Sequence, residues 1–432
     1  MVAPAVECFD VVVIGGGPGG STAGTYLALD GKKALILERE HFPRFHIGES
    51  LLPYGNDILQ ETGAWEKVEK SGFMPKFGAE FCTGNNTRFH RFWFERGLGE
   101  HYAQTFQVER SRFDHVLLKH AAETGCEVRE GCIVTEAQMD DEGVTIFYQD
   151  GITRHEVRAR WLVDATGRDT FIGRQMNLPR KPTLLAKRIA TYAHFKNVFR
   201  NEGRAGGHIT VARVPDGWFW FIPLDEERTS VGYVQSLNAL KRTGLKPEES
   251  FEKIIREYSD LKSRLAGSTR VGDFHVTSDY SYRFEGFAMP RCLMVGDAAG
   301  FVDPIFSSGV LMALKSARQA AQLISKADMA NRPLTNREQS RYTREVCRMM
   351  DIYINMITAF YDDTSFEVFM SPASMLRIHH AVLAIIGGNT DLPFHLWWRM
   401  QAFYAFCILQ KWVKFSPIVE YAEPPAGPLA GK

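Results

Sequence analysis

The residues best suited to chemistry stand near the start of the chain. Phe9-Asp10-Val11-Val12-Val13-Ile14 is a short β-branched run, followed by glycines in the order Gly15-x-Gly17-x-x-Gly20 and then by an apolar, alanine-containing stretch. That pattern reads as strand, tight turn and helix. Gly15 permits the turn, Gly17 lets backbone N–H groups approach a pyrophosphate, and Gly20 lets the helix lie close to the strand. Pro18 belongs to the same turn, and the helix N-terminus faces the negative charge. A second strand, Lys33 to Leu37, ends in Glu38, whose carboxylate is placed to accept both hydroxyls of an adenosine ribose. Together these residues predict a dinucleotide site.

A second acid stands in a similar setting. Cys292-Leu293-Met294-Val295 reads as a buried strand delivering Gly296-Asp297-Ala298-Ala299-Gly300, with Asp303-Pro304 beyond it. Small residues there keep the backbone close to a ligand, and Asp297 suits the ribityl hydroxyls of a flavin. The helix expected from about Ser308 aims its N-terminus at an anion or at the flavin's pyrimidine edge. Between these poles, Trp161-Leu162-Val163-Asp164-Ala165-Thr166-Gly167 reads as another buried strand ending in a small-residue turn. The loop carrying Arg44, Glu49 and Ser50 is expected near the cofactor, with Ser50 as a helix N-cap the plainer alternative. Arg110, at the start of a helix through Glu123, is assigned to the cofactor as well. Gly72 to Phe81 reads as one strand with alternating apolar residues in which Lys76 is the single cation, by default on a solvated face. Trp218, Trp220 and Ile222 share one face of a strand by period two, a spacing that also suits ordinary core packing.

The elements that position these residues follow from the rest of the chain. With 432 residues and balanced charge, two interleaved domains with a helical addition are expected, and nucleic acid is a poor partner. The expected division is 1–80, 111–180 and 276–330 for the nucleotide domain, 81–110 and 181–275 for an antiparallel sheet domain, and 331–432 for a helical region. Met349, Met350, Tyr353, Met356, Ile357 and Phe360 recur at helical spacings as a buried stripe. Seven cysteines without paired spacing read as reduced thiols in a cytoplasmic protein without a structural metal site, and no signal peptide is read before Asp10. Leu392 to Phe415, interrupted by Arg399 and Lys411, falls short of a membrane span.

Over residues 9 to 320 these motifs resemble the flavin-dependent halogenases, in particular the phenol and pyrrole branch, within the glutathione-reductase-like FAD superfamily. Gly15 to Gly20 with Glu38, Asp164 to Gly167 and Gly296 to Pro304 look like the three FAD segments shared by the wider superfamily. Gly48-Glu49-Ser50-Leu51-Leu52-Pro53 is a more restricted match, and Trp218-x-Trp220-x-Ile222-Pro223 is similar to the halogenase tryptophan signature. The resemblance implies an α/β fold of glutathione-reductase type with an interleaved antiparallel substrate domain. It implies an activity in which reduced FAD, oxygen and chloride or bromide yield hypohalous acid, with the halide held by backbone N–H groups of Ser308 and Gly309. Gly72-Phe73-Met74-Pro75-Lys76-Phe77-Gly78-Ala79 matches the segment carrying the family's catalytic lysine, which moves Lys76 from a surface residue to the catalyst.

One departure bears on substrate. Tryptophan-specific members carry a glutamate in the segment matching Asp303 to Gly309, where this chain has Phe306. The resemblance therefore implies a small phenol, pyrrole or related ring, in some members tethered to an acyl or peptidyl carrier protein. A separate flavin reductase is expected to supply reduced FAD, and the chain to act as monomer or homodimer. The competing readings are an aromatic monooxygenase or a geranylgeranyl-reductase-type enzyme on the same scaffold, and a non-catalytic FAD-binding protein lying against a membrane through its last long helix.

Overall fold

The computed structural model describes residues 6–98, 100–182, 185–278, 281–371 and 377–421. Contacts divide the chain into two units, each assembled from three segments: Met1–Gly72, Val108–Leu184 and Ser281–Tyr353 form the first, Phe73–Gln107, Leu185–Tyr280 and Ile354–Lys432 the second.

The first unit is built on a seven-stranded sheet. Strand β1 (Glu7–Ile14) lies parallel to β2 (Ala34–Leu37) on one side and to the strand Thr153–Asp164 on the other. The short strand Cys292–Met294 pairs parallel with the last three residues of Thr153–Asp164. The register aligns Ile14 with Leu37 and with Asp164, and Asp164 with Met294. Four strand ends therefore meet along one edge, the place where open α/β sheets take their ligands. Helix α1 (Pro18–Leu29) covers the sheet, and Leu35, Ile36, Val11, Val12 and Val13 are wholly buried beneath it, the continuous apolar run expected of parallel strands with both faces covered.

The second unit holds another seven-stranded sheet, with Trp218 to Ile222 on its strand Gly217–Pro223. It is antiparallel except where β4 (Gly78–Thr83) pairs parallel with Ile209–Val214. That pairing departs from the antiparallel expectation, and the long excursion of the chain through the first unit makes it possible, since parallel neighbours need an extended connection. The segment expected as one strand over residues 72–81 is two: β3 (Met74–Lys76), paired with Thr105–Gln107 in a separate ribbon, and β4. Strand β4 is buried at every residue instead of alternating. Both its faces are covered: Cys82 joins the cluster with Phe195, Phe219 and Phe251, while Phe81 meets the Phe369 ring at 4.9 Å. Within the expected helical region 331–432 lie the helices Asn336–Tyr361, Asp363–Phe369, Ile378–Ile386 and Phe394–Val413.

The two indoles of the sheet are tilted at 48° and not stacked, with centroids 5.8 Å apart. Trp220 lies flat over Gly232 on the neighbouring strand, where an added Cβ would come within 2.2 Å of its ring. Gly232→Ala is therefore expected to destabilise by about 1–3 kcal/mol, the usual cost of overpacking. Urea unfolding would show it, and the cost should shrink in a Trp220→Phe background; an equal cost in both would remove the indole as its cause.

Candidate active site

In the first unit the backbone makes a cradle at the end of β1. Gly15 has φ of +100°, and an added Cβ would stand 2.6 Å from the Ala165 carbonyl oxygen; at Gly20 it would overlap the Gly15 oxygen at 1.8 Å. Only glycine allows the helix to sit this near the strand. Gly17 differs: beyond it lies only the Arg44 Nη2, 3.4 Å from the position of a Cβ. Open space at a helix start, lined by amides and a guanidinium, suits a pyrophosphate. Pro18 occupies the first helical turn, where a missing N–H costs nothing.

Glu38 is buried and pre-set. Its Oε2 accepts from the Gly16 N–H at 2.6 Å and its Oε1 from the Glu40 N–H at 2.9 Å. Carboxylate oxygens carry further lone pairs, so the same group can still take ribose hydroxyls. Asp297 is half-buried, and among the described residues its side chain makes no hydrogen bond. Desolvation pushes it up to about 6 against the opposing pull of Arg110 and Arg168, the state of an acid awaiting donors.

Several predicted cofactor residues act as braces. Asp164 Oδ1 accepts from the Thr166 N–H and hydroxyl, and Oδ2 from the Ile172 N–H, so its carboxylate ties down the turn that follows it. Arg110 holds Asp114 through two bonds of 2.7 and 3.0 Å and donates to the Ile47 carbonyl at 2.8 Å, fixing the loop that carries Arg44. Asp114 also receives Arg44 at 3.4 Å. The sequence reading missed Asp114, although its spacing from Arg110 is that of a helical ion pair. Glu49 and Ser50 are buried in the same loop, the Glu49 carbonyl accepting from the Val108 N–H at 2.7 Å. Ser50 is not an N-cap: the α-helix starts at Asn56, after a short turn over Pro53–Gly55, because Pro53 holds the preceding residue extended.

Gly167 adopts φ of +61° in the turn after Asp164. Pro304 opens a short turn capped by Asp303, whose carboxylate accepts from the Ile305 N–H at 3.1 Å. The helix Ser308–Met329 begins immediately after, with Ser308 buried and open space beyond Gly309. Phe306 is buried in that turn.

The second unit carries Lys76 and the indoles. Lys76 is 1 % exposed, with its Nζ 5.4 Å from the Phe94 ring centre, and burial brings its amine down to about 7. This reverses the solvated-face default for a lysine in a strand. The indole N–H groups are both satisfied, Trp218 donating to the Tyr361 hydroxyl at 2.7 Å and Trp220 to Ser230 at 3.1 Å. Ile222 is buried beside them. Near Lys76 lie two residues with no signal in the sequence, Gln107 and His208, both buried.

A glycine cradle, a buried acid at the end of β2 and a second acid beyond Met294 fit an FAD-binding protein. The tryptophan halogenase family matches residues 95–367 and the FAD-dependent oxidoreductase family residues 10–170. A 1H-pyrrole-2-carbonyl-[peptidyl-carrier protein] chlorinase of Pseudomonas fluorescens is 33% identical, covering 82% of this chain and 83% of its own. The corresponding brominase of Pseudoalteromonas luteoviolacea is also 33% identical, covering 74% and 78%. The solved structure of a flavin-dependent brominase superposes with a TM-score of 0.82 at 29% identity, over 94% of this chain and all of that one. The chain belongs to the flavin-dependent halogenases and has their glutathione-reductase-type α/β fold. Among the described residues no helix is long and apolar enough to cross a membrane.

Two outcomes follow. Gly17→Val is expected to fold, since its new side chain meets only the flexible end of Arg44, yet to lose FAD; a folded variant purifying with bound flavin would displace the pyrophosphate from this turn. The unfolded chain keeps the Lys76 proton to about 10.5 whereas the folded chain releases it near 7, so between those values stability rises with pH. Lys76→Met should therefore stabilise by on the order of 4 kcal/mol near neutral pH, a gain that fades towards pH ~10. Urea titrations across that range measure it, and a gain independent of pH would place the amine in water.

Proposed function

We propose that this enzyme halogenates a pyrrole or phenol delivered on a carrier protein, and that Lys76 is the group that handles the oxidant. The observation carrying this reading is the complete burial of a primary amine in an apolar setting beside Phe94. An amine near neutrality in pKa exists both as donor and as nucleophile at working pH, and exclusion of water protects an electrophilic halogen from hydrolysis. The pyrrolyl-carrier substrates of the two bacterial relatives support the choice of ring and tether. One of them is a chlorinase and the other a brominase, so either halide is compatible with a chain of this kind.

In this reading the N–H groups of Gly17 and Gly20, in the turn that Pro18 helps to shape, hold the FAD pyrophosphate together with Arg44. Glu38 holds the adenosine ribose and Asp297 the ribityl chain, while the N–H groups of Ser308 and Gly309 hold halide by the positive end of their helix. Asp164, Gly167, Arg110, Glu49, Ser50 and Pro304 shape the turns that carry those groups. Bound FAD, reduced by a separate reductase, supplies the electrons with which dioxygen and halide become hypohalous acid and water. Lys76 then accepts the hypohalous acid, either as an ammonium hydrogen-bonded to its oxygen or as an amine forming a haloamine, and presents the halogen to the ring. The buried indoles of Trp218 and Trp220, with Ile222, form the wall of the second unit's sheet.

The test combines purified protein, FAD, a flavin reductase, oxygen and chloride or bromide with free and carrier-loaded pyrroles, phenols and indoles, read by mass spectrometry. Halogen isotope patterns on the carrier-loaded pyrrole or phenol are expected. Consumption of NADPH by the protein alone, without halogenated product, would assign it to the monooxygenase class instead. Lys76→Ala should keep FAD and oxygen consumption while halogenated product falls at least ~100-fold; full activity would remove Lys76 from the reaction.

A further inference from the structure

Lys76 is not the only buried polar group in its part of the second unit. In the ribbon that carries it, Lys76 stands opposite Thr105 and Met74 opposite Gln107. All four side chains share one face, which makes Gln107 a diagonal neighbour of Lys76 at roughly 7 Å. Gln107 is wholly buried; its amide nitrogen donates to the Gly207 carbonyl at 3.1 Å, while its Oε1 has no partner among the described residues. The amide cannot be turned over, because a carbonyl only accepts and Nε2 must face it.

His208 follows directly. Its backbone step is pressed onto the Lys76 strand: an added Cβ on Gly207 would stand 1.9 Å from the Pro75 oxygen, and one on Gly78 would stand 3.1 Å from the His208 Nε2. The imidazole is buried, its centre 4.5 Å from that of Trp93 in an edge-to-face pair, and among the described residues neither ring nitrogen has a hydrogen-bond partner. Glu80 Oε1 stays at 3.8 Å from Nδ1, beyond bonding reach. Desolvation, with Arg91, Lys76 and Arg204 adding to it, brings His208 down to about 3, so the ring is neutral. Three buried polar atoms along the Lys76 strand, without partners among the described residues, are costly, each by about 1–3 kcal/mol, unless a small molecule meets them.

We propose that His208 and Gln107 complete, with Lys76, a closed donor–acceptor site for one molecule of hypohalous acid. This rests on the function proposed above and gives that reaction its oxidant-binding residues. The Lys76 ammonium donates to the oxidant's oxygen, and the oxidant's own O–H donates to a His208 nitrogen or to Gln107 Oε1. In the transfer a ring carbon attacks the halogen with its electron pair. The C–X bond forms and the O–X bond breaks; the ring is oxidised and the halogen reduced. The departing hydroxide takes a proton from Lys76 to become water, and the proton lost from the ring carbon restores the ammonium. The neutral imidazole keeps the oxidant oriented throughout and leaves Lys76 as the proton donor.

The measurement is the partition of oxidant between product and escape. With wild type, His208→Leu and His208→Gln, halogenated product is counted per oxygen consumed, and free hypohalous acid is captured by a thiol trap in the same reaction. His208→Leu should melt no lower than wild type, since it removes two unpartnered nitrogens. Its product per oxygen should fall about tenfold or more, the scale of losing one positioned hydrogen bond, with a matching rise in trapped oxidant. His208→Gln, which keeps a neutral donor and acceptor, should recover most of the loss. Wild-type partition in His208→Leu would overturn the proposal, as would a folded His208→Gln no better than His208→Leu. Should His208→Leu fail to fold, Gln107→Met carries the same test through the amide oxygen. Absence of any halogenated product from wild type would instead overturn the function on which the site rests.

Discussion

Removing a primary amine from water is the constraint that shapes the second unit of this protein. An ammonium in an apolar interior is so unfavourable that the folded state gives up its proton more readily, which is why Lys76 sits near 7. Everything around it serves that exclusion. Strand β4 is covered on both faces, Phe94 faces the nitrogen, and the tight approach of Gly207 to Pro75 leaves no room for bulk solvent between the two backbones. The cost is borne by the sheet and its helices, whose aromatic clusters supply hydrophobic burial around a site that is itself destabilising.

The nucleotide side obeys a different rule. There the determinant is backbone shape: Gly15 and Gly20 exist as glycines because carbonyl oxygens occupy the places of their side chains, while Gly17 faces open space and a guanidinium. The acids divide in the same way. Asp164 and the Arg110–Asp114 pair are committed to holding turns, whereas burial leaves Asp297 with a raised pKa. Rigid braces and available ligands therefore alternate around one edge of one sheet.

This division explains what could be read from the chain. Constraints local in sequence were legible: the glycine turn, Glu38 at the end of β2, the helix beginning at Ser308, and the buried stripe from Met349 to Phe360. The type of element was clear wherever periodicity spoke. Roles set by distant partners were not. Asp164 and Arg110 could not be recognised as braces, because that depends on which amides and carbonyls their oxygens and nitrogens meet. The break between β3 and β4 follows from the pairing of β3 with Thr105–Gln107, and the parallel pairing of β4 with Ile209–Val214 comes from a strand more than a hundred residues away. His208 and Gln107 carry no pattern at all; two single polar residues become a site only when β3 brings them together.

The interleaving of segments has a consequence for how the protein is made. The sheet of the first unit acquires its strand Cys292–Met294 only after the whole of 185–280, which belongs to the other unit, has been synthesised. Until then Leu162 to Asp164 present an unpaired, apolar edge on a nascent chain, and β4 waits equally long for Ile209–Val214. Neither unit can close during translation before its last segment leaves the ribosome, so both depend on contacts of high sequence separation, the kind that form slowly and expose sticky surface meanwhile. An enzyme arranged to keep water from one nitrogen thus spends its earliest moments with its future interior open to the cell.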